Sequence, residues 1–186
     1  MAYKNELIKA LKLCLFTQKS TSGWTLIEIG VVTTIVGILA SVAFPSLMGI
    51  KAKMDTRGEF SEVVQTLRQA QRNAVKMGRE CRLIMDTTNT PHRLQLDPDA
   101  KYTGCLTFQE FPLNNSKFHE NFPGTAIRFS YKGNSTNMGT MVIQSSFSPT
   151  VSYCLAMSGM IGVMRAGVYE GDPETAIDPT QCRTGY

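Results

Sequence analysis

Histidine and tryptophan are almost absent from these 186 residues, which hold two of the first and one of the second. His92 follows Pro91, and His119 falls in a stretch that reads as a polar loop. Neither has a sequence neighbour that would make it a general base or a metal ligand. No Walker-type or dinucleotide glycine motif occurs, and Ser158-Gly159 lacks the setting of a nucleophile elbow. No Cys-x-x-Cys spacing occurs either, which removes the common zinc and redox motifs. The acidic tail residues Glu170, Asp172, Glu174 and Asp178 do not follow the spacing of a calcium loop and read as a solvated segment. These absences point away from an enzyme and away from a resident metal or cofactor.

Charge is also scarce, at 18% of residues, and one block explains much of that. From Trp24 to Leu39 the only formal charge is Glu28, and the next charged residue is Lys51. Trp24 to Phe44 gives 21 largely apolar residues, about 32 Å as a helix and enough to cross a bilayer. Ahead of it, residues 1–23 carry Lys4, Lys9, Lys12 and Lys19 against Glu6, a net +3 out of the chain's +4. Lysines before an apolar span keep that end cytoplasmic, so the residues after Pro45 are expected to be exported. Without those four lysines and one glutamate, the remaining chain has 15 basic and 14 acidic residues. The positive net charge is therefore not a nucleic-acid signature.

Three readings compete for residues 1–45: a signal peptide cut near Ser41-Val42-Ala43, a plain signal anchor, and a segment cut before the apolar stretch. Glu28 separates them. A carboxylate inside a membrane helix costs about 2.5–3.5 kcal/mol on insertion scales, and the first two readings give it no task. Cleavage after Gly23 would free an amino group on Trp24. In a packed filament the amine of one subunit could neutralise the Glu28 carboxylate of its neighbour.

Gly23-Trp24-Thr25-Leu26-Ile27-Glu28 resembles the prepilin motif of the type IV pilin and type II secretion pseudopilin family. Gly37 and Pro45 stand where that family has a glycine within the span and a kinking proline at its end. The resemblance implies cleavage between Gly23 and Trp24 and N-methylation of Trp24, both by a membrane prepilin peptidase. It further implies a single-pass anchor in bacterial inner-membrane lipid before assembly, then packing with other pilins or pseudopilins in a helical filament. Trp24 departs from the usual Phe or Met, and the leader exceeds the commonest length. Met138 to Ile143, Tyr153 to Gly159 and Ile161 to Arg165 follow an order of features similar to the H pseudopilin and related minor pilins. A DNA-uptake or adhesion minor pilin is the alternative within that group.

Past Pro45, Phe60, Val63, Val64, Leu67, Ala70, Ala74 and Val75 recur at helical spacing, with no proline from Ser46 to Thr90 and a stop signal at Gly78. The expected divisions are a leader (1–23), a membrane or filament-core helix (24–45), its amphipathic continuation (46–78) and a β domain (79–186). Strands are expected at Cys81–Asp86, Arg93–Leu96, Leu106–Phe111, Ala126–Tyr131, Met141–Ser145, Ser152–Met157 and Ile161–Arg165. With no second helix to cross between parallel strands, pairing should be antiparallel. The fold class is α+β, a long N-terminal helix packed on an antiparallel β domain.

Cys14 lies in the leader, leaving Cys81, Cys105, Cys154 and Cys182. Four cysteines in an exported domain allow three connectivities. Cys154–Cys182 with Cys81–Cys105 is the expected pairing, because the first bond would hold down the Gly/Pro/Asp-rich tail. Arg68, Arg72, Lys76 and Arg79 line one helical flank. Such a stripe could follow a phosphate backbone, but a solvated flank paired with nearby acids is the favoured reading. The Gly-Arg-x-Arg signature of DNA-binding relatives is missing, since Met160 follows Gly159.

Overall fold

The structure, a computed structural model, describes residues 25–99, 102–159 and 161–184. The chain divides after Pro45 into two compact units, residues 1–45 and 46–186. Helix α1 (Leu26–Met77) runs through that division. Gly23 and Trp24 lie outside the described residues, as does the side chain of Pro45.

In the second unit, one face of α1 is apolar and buried, and the opposite face is polar. Val63, Leu67, Ala70 and Ala74 are fully buried, with Phe60 and Val64 beside them. Val75, expected on this face, is instead half exposed. The helix ends where Gly78 takes a positive φ of 64°. There the Gly78 N–H donates to Val75 O and the Arg79 N–H to Ala74 O, the paired bonds of a glycine C-terminal cap.

Two antiparallel sheets follow. The four-stranded sheet runs β3 (Glu110–Pro112), β2 (Arg93–Leu96), β1 (Cys81–Asp86), β5 (Ala126–Phe129). The five-stranded sheet runs β4 (Ser116–Glu120), β6 (Gly139–Ser145), β7 (Ser152–Met157), β8 (Met164–Tyr169), β9 (Cys182–Thr184). Strand β1 alternates buried and half-buried positions, sending Cys81, Leu83 and Met85 inward. Leu83, Leu94, Ile127, Met141, Ile143 and Leu155 join the buried face of α1 in one core. Phe60 of α1 stacks on Tyr153 of β7 with ring centroids 5.5 Å apart.

Three polar side chains fix the helix to the loops around it. The Glu59 Oε1 atom accepts from the Asn114 and Asn115 N–H groups at 3.1 and 2.9 Å, holding the β3–β4 connection. Gln71 donates to Gly133 O at 2.6 Å and Gly162 O at 2.9 Å, and Asn73 donates to Cys105 O at 2.7 Å.

The five-stranded sheet is covered on both sides. Met141 and Ile143 face the helix, whereas Val142 and Cys154 belong to a smaller cluster with Tyr169 and Cys182, flanked by Ile177. The tail after Tyr169 thus straps the outer face. The Tyr169 hydroxyl accepts from the Asp178 N–H at 3.0 Å. Cys81 is bonded to Cys105 and Cys154 to Cys182, the pairing expected from the sequence.

Four strand expectations are corrected. Leu106–Phe111 shrinks to Glu110–Pro112, because the bonded Cys105 and buried Leu106 hold the preceding segment in the core as a loop. Ala126–Tyr131 ends at Phe129, where Ser130 to Asn134 form a turn. Met141–Ser145 starts two residues earlier, at Gly139, which pairs with Met157. Ile161–Arg165 moves to Met164–Tyr169, since Gly162 (φ 62°) sits in the β7–β8 turn and Met157 pairs with Met164.

Replacing Cys154 and Cys182 together with serine should cost about 3–4 kcal/mol in the chain-entropy model for loop closure. Hydrogen exchange should then accelerate in β9 and the tail while β1 and β2 keep their protection. Uniform acceleration would show that the strap is not a separate cooperative element.

Candidate assembly site

Among its described residues, the first unit presents a helix with exposed apolar side chains. Thr25 precedes α1, and its Oγ1 accepts from the Glu28 N–H at 3.3 Å. Thr25-x-x-Glu28 is thus the Ser/Thr-x-x-Glu pattern of a capping box, in which the side chain at the cap satisfies an N–H of the first turn. This signal was present in the sequence but went unread beside the cleavage motif. Glu28 stands in the first turn, where the helix dipole favours a negative charge.

Beyond the cap, ten large apolar residues between Leu26 and Phe44 are exposed, from Leu26 at 91% down to Val32 at 43%. The hydroxyls among them are satisfied internally. Thr33 donates to Ile29 O at 2.9 Å, Thr34 to Gly30 O at 2.7 Å and Ser41 to Ile38 O at 2.7 Å. Such back-bonding keeps polar groups from demanding water. Gly30, Thr34, Gly37 and Ser41 fall at four, three and four, on one face. A Cβ at Gly30 or Gly37 would meet nothing within 4 Å. Among the described residues, no contact therefore requires either glycine.

The expected span, Trp24–Phe44, begins outside the described residues. Among the described residues no single helix is long and apolar enough to cross a membrane, whereas Leu26–Ser41 and Ser46–Met77 pass together as a pair. Leu26–Ser41 alone is about 24 Å long, short of a hydrocarbon core of about 30 Å.

The basic stripe is split. Arg68, Arg72 and Lys76 are exposed on α1, and among the described residues none of them forms an ion pair, contrary to the paired flank expected. Arg79 lies past the helix end and donates to Thr103 O, so it serves the loop of the first disulfide. The ion pairs form elsewhere, as in Arg82–Asp97 at 2.9 Å and Arg93–Glu110 at 3.0 Å.

The acidic tail is not a free loop. Glu170 pairs with Arg183 at 2.6 Å, and Asp172 accepts from the Glu174 N–H at 3.0 Å. Asp178 accepts from the Thr180 N–H and hydroxyl at 2.9 and 2.7 Å, bonds that hold its carboxyl below the usual range. Among the described residues no three metal-ligating side chains converge.

Both histidines are structural neighbours of Phe118. His92 Nδ1 accepts from the Phe118 N–H at 2.9 Å, and its carbonyl accepts from the Leu113 N–H at 2.7 Å. It thereby ties the approach to β2 to the edge of β4. His119 is not in a loop; it is a β4 residue paired with Val142. It lines a recess of about 420 Å³ with Glu120, Pro173 and Ile177 of the strap. Its Nε2 is buried without a hydrogen-bond partner. Burial pushes its pKa down, partly offset by Gln144 and the Glu174 charge. Burial pushes Glu120 up, against a bond from the Phe122 N–H.

Comparison with known proteins gives short matches. The chain is 47% identical over 47 residues to the type II secretion system core protein G of Aeromonas hydrophila, covering 25% of this chain and 33% of that protein. It is 49% identical over 47 residues to the protein of that name in Klebsiella michiganensis, again 25% and 33%. With the Escherichia coli K12 protein it shares 50% over 42 residues, covering 23% and 29%. The chain thus spans about a third of the length of the curated relatives it matches. No family profile matches it, and no solved structure does.

The depressed His119 pKa has a defined consequence. The unfolded chain binds this proton more readily, so the associated stability is full above the ordinary 6.5 and is lost as pH falls through it. Glu120 works oppositely above 4.5, its folded state holding the proton longer. The thermal midpoint should fall between pH 7.5 and 5.5, and His119→Gln should flatten that dependence. An unchanged slope in the variant would assign it to other groups.

Proposed function

We propose that this chain is a non-enzymatic filament subunit of a type II protein secretion pseudopilus, of the minor, H-like class. It would be made as a prepilin, cut after Gly23 and methylated on Trp24. The observation that carries the reading is the helix from Leu26 to Phe44, whose large side chains are exposed and whose hydroxyls are satisfied internally. That surface is suited first to inner-membrane lipid and then to the packed helices of a filament. The likeness to proteins named for type II secretion supports that machine over a pilus. The H-like assignment rests on the order of sequence features from Met138 to Arg165.

Glu28 has two tasks in this reading. It completes the Thr25-x-x-Glu28 capping pattern of its own helix, and its carboxylate meets the Trp24 amine of a neighbour. Glutamine serves a capping box nearly as well as glutamate but carries no charge.

Co-expression with a prepilin peptidase should yield a chain beginning at methylated Trp24, and cleavage near Ala43 would sink the proposal. Glu28→Ala should leave processing intact and cut incorporation into filaments by about tenfold or more, as expected when a buried charge loses its partner. Glu28→Gln should incorporate as poorly as Glu28→Ala. Full incorporation of the glutamine variant would assign Glu28 to capping alone.

A further inference from the structure

We propose that the cationic flank of α1, Arg68, Arg72 and Lys76, docks the acidic strap Glu170–Asp178 of a second copy of this chain. This deepens the filament reading and rests on it. Charge in the domain is segregated. Residues 63–79 and 121–169 contain no aspartate or glutamate, and their charges are all Lys or Arg. The strap, by contrast, holds four acids within nine residues, and Glu170 is the one paired with Arg183.

Two turns are seated on α1 next to the cationic flank. Gln71, on the same stretch of helix, draws the 130–134 turn and the β7–β8 turn to α1 through Gly133 O and Gly162 O. A Cβ at Gly162 would lie 2.4 Å from Gly133 O, so only glycine permits that approach. Ile161, 70% exposed, and the exposed Val163 flank Gly162. The result is unpaired cations beside an apolar ridge. Phosphates of a nucleic acid would neutralise the cations but leave the ridge in water. The strap offers both partners, with exposed Ala176 and half-buried Ile177 between Glu174 and Asp178.

The two surfaces lie on opposite sides of the five-stranded sheet. The helix packs with Met141 and Ile143, and the strap packs with Val142 and Cys154. One copy cannot close this contact on itself. Complementary patches on opposite faces make a heterologous, head-to-tail contact between two copies. The backbones that carry them are fixed beforehand, one in the α1 helix and the other by the Cys154–Cys182 bond, which reduces the entropy lost on docking.

The test uses two differently tagged full-length copies, Arg72→Cys in one and Glu174→Cys in the other, expressed together in cells that process and assemble the chain. A disulfide dimer carrying both tags should exceed either same-position pair by roughly tenfold. Arg68→Glu with Lys76→Glu should abolish it, and Asp172→Lys with Asp178→Lys on the partner should restore it. That restoration excludes misfolding as the cause of the loss. Mixed cross-linking no greater than the same-position controls overturns the proposal. So does a duplex-DNA gel shift that needs Arg68 and Lys76 while the cross-link is absent. Normal incorporation without the cross-link sinks the docking alone, whereas failure of processing at Gly23 sinks the subunit reading itself.

Discussion

The buried stripe of α1 is the constraint on which the domain depends. Val63, Leu67, Ala70 and Ala74 have no exposed surface, and residues of both sheets pack with them in one core. Two of the four are alanines, small enough to let strands approach the helix axis closely. Burying a side chain the size of Val63 or Leu67 is worth about 1.5–3 kcal/mol, so the sheets have no comparable place to go. Register along the helix is then fixed by polar side chains that reach beyond the stripe. Glu59, Gln71 and Asn73 each bond backbone atoms of a loop, at three levels of the same helix. The helix acts as a template, and the loops are seated on it.

The same packing explains why the five-stranded sheet needs its tail. Strand β6 is buried on both faces from Thr140 to Ser145, yet the helix covers only one. The outer face, with Val142 and Cys154, would be open without the strap. The strap has few apolar residues of its own, chiefly Ile177, and a segment that polar does not bury enough area to stay down alone. The Cys154–Cys182 bond supplies what burial does not. Such a bond persists in an oxidising compartment, in keeping with a domain exported across the membrane in the proposed reading.

Those forces also decide what the sequence made legible. The helix to Met77 and strand β1 are legible because burial imposes one period on each, whereas β2 and β7 are legible as short apolar runs between turn residues. Strand β4, Ser-Lys-Phe-His-Glu, is not, since Phe118 is its one large apolar residue and its neighbours read as a loop. Strand β9 is three residues long and exists through Cys182 and its pairing with β8. The β8 boundary depended on a positive-φ glycine whose need is set by Gly133 across the fold, which no local pattern records. At the candidate site, Glu28 stood out as a lone charge, while its capping partner Thr25 was overlooked. The unpaired state of Arg68, Arg72 and Lys76 depends on where the acids fold, and they fold elsewhere.

The exposed half of α1 carries the functional consequence furthest. Ten large apolar side chains in water are a liability, and lipid removes it as completely as neighbouring helices do. Between apolar helices in lipid there is little hydrophobic drive, so association rests on close approach and on polar contacts. The Gly30, Thr34, Gly37 and Ser41 face permits the first, and no contact among the described residues explains its glycines. Glu28 offers the second, because a carboxylate costs more in lipid than beside an amine. In the proposed filament, then, the apolar surface makes the helix soluble in both environments. The carboxylate at its first turn makes the filament preferable to lipid.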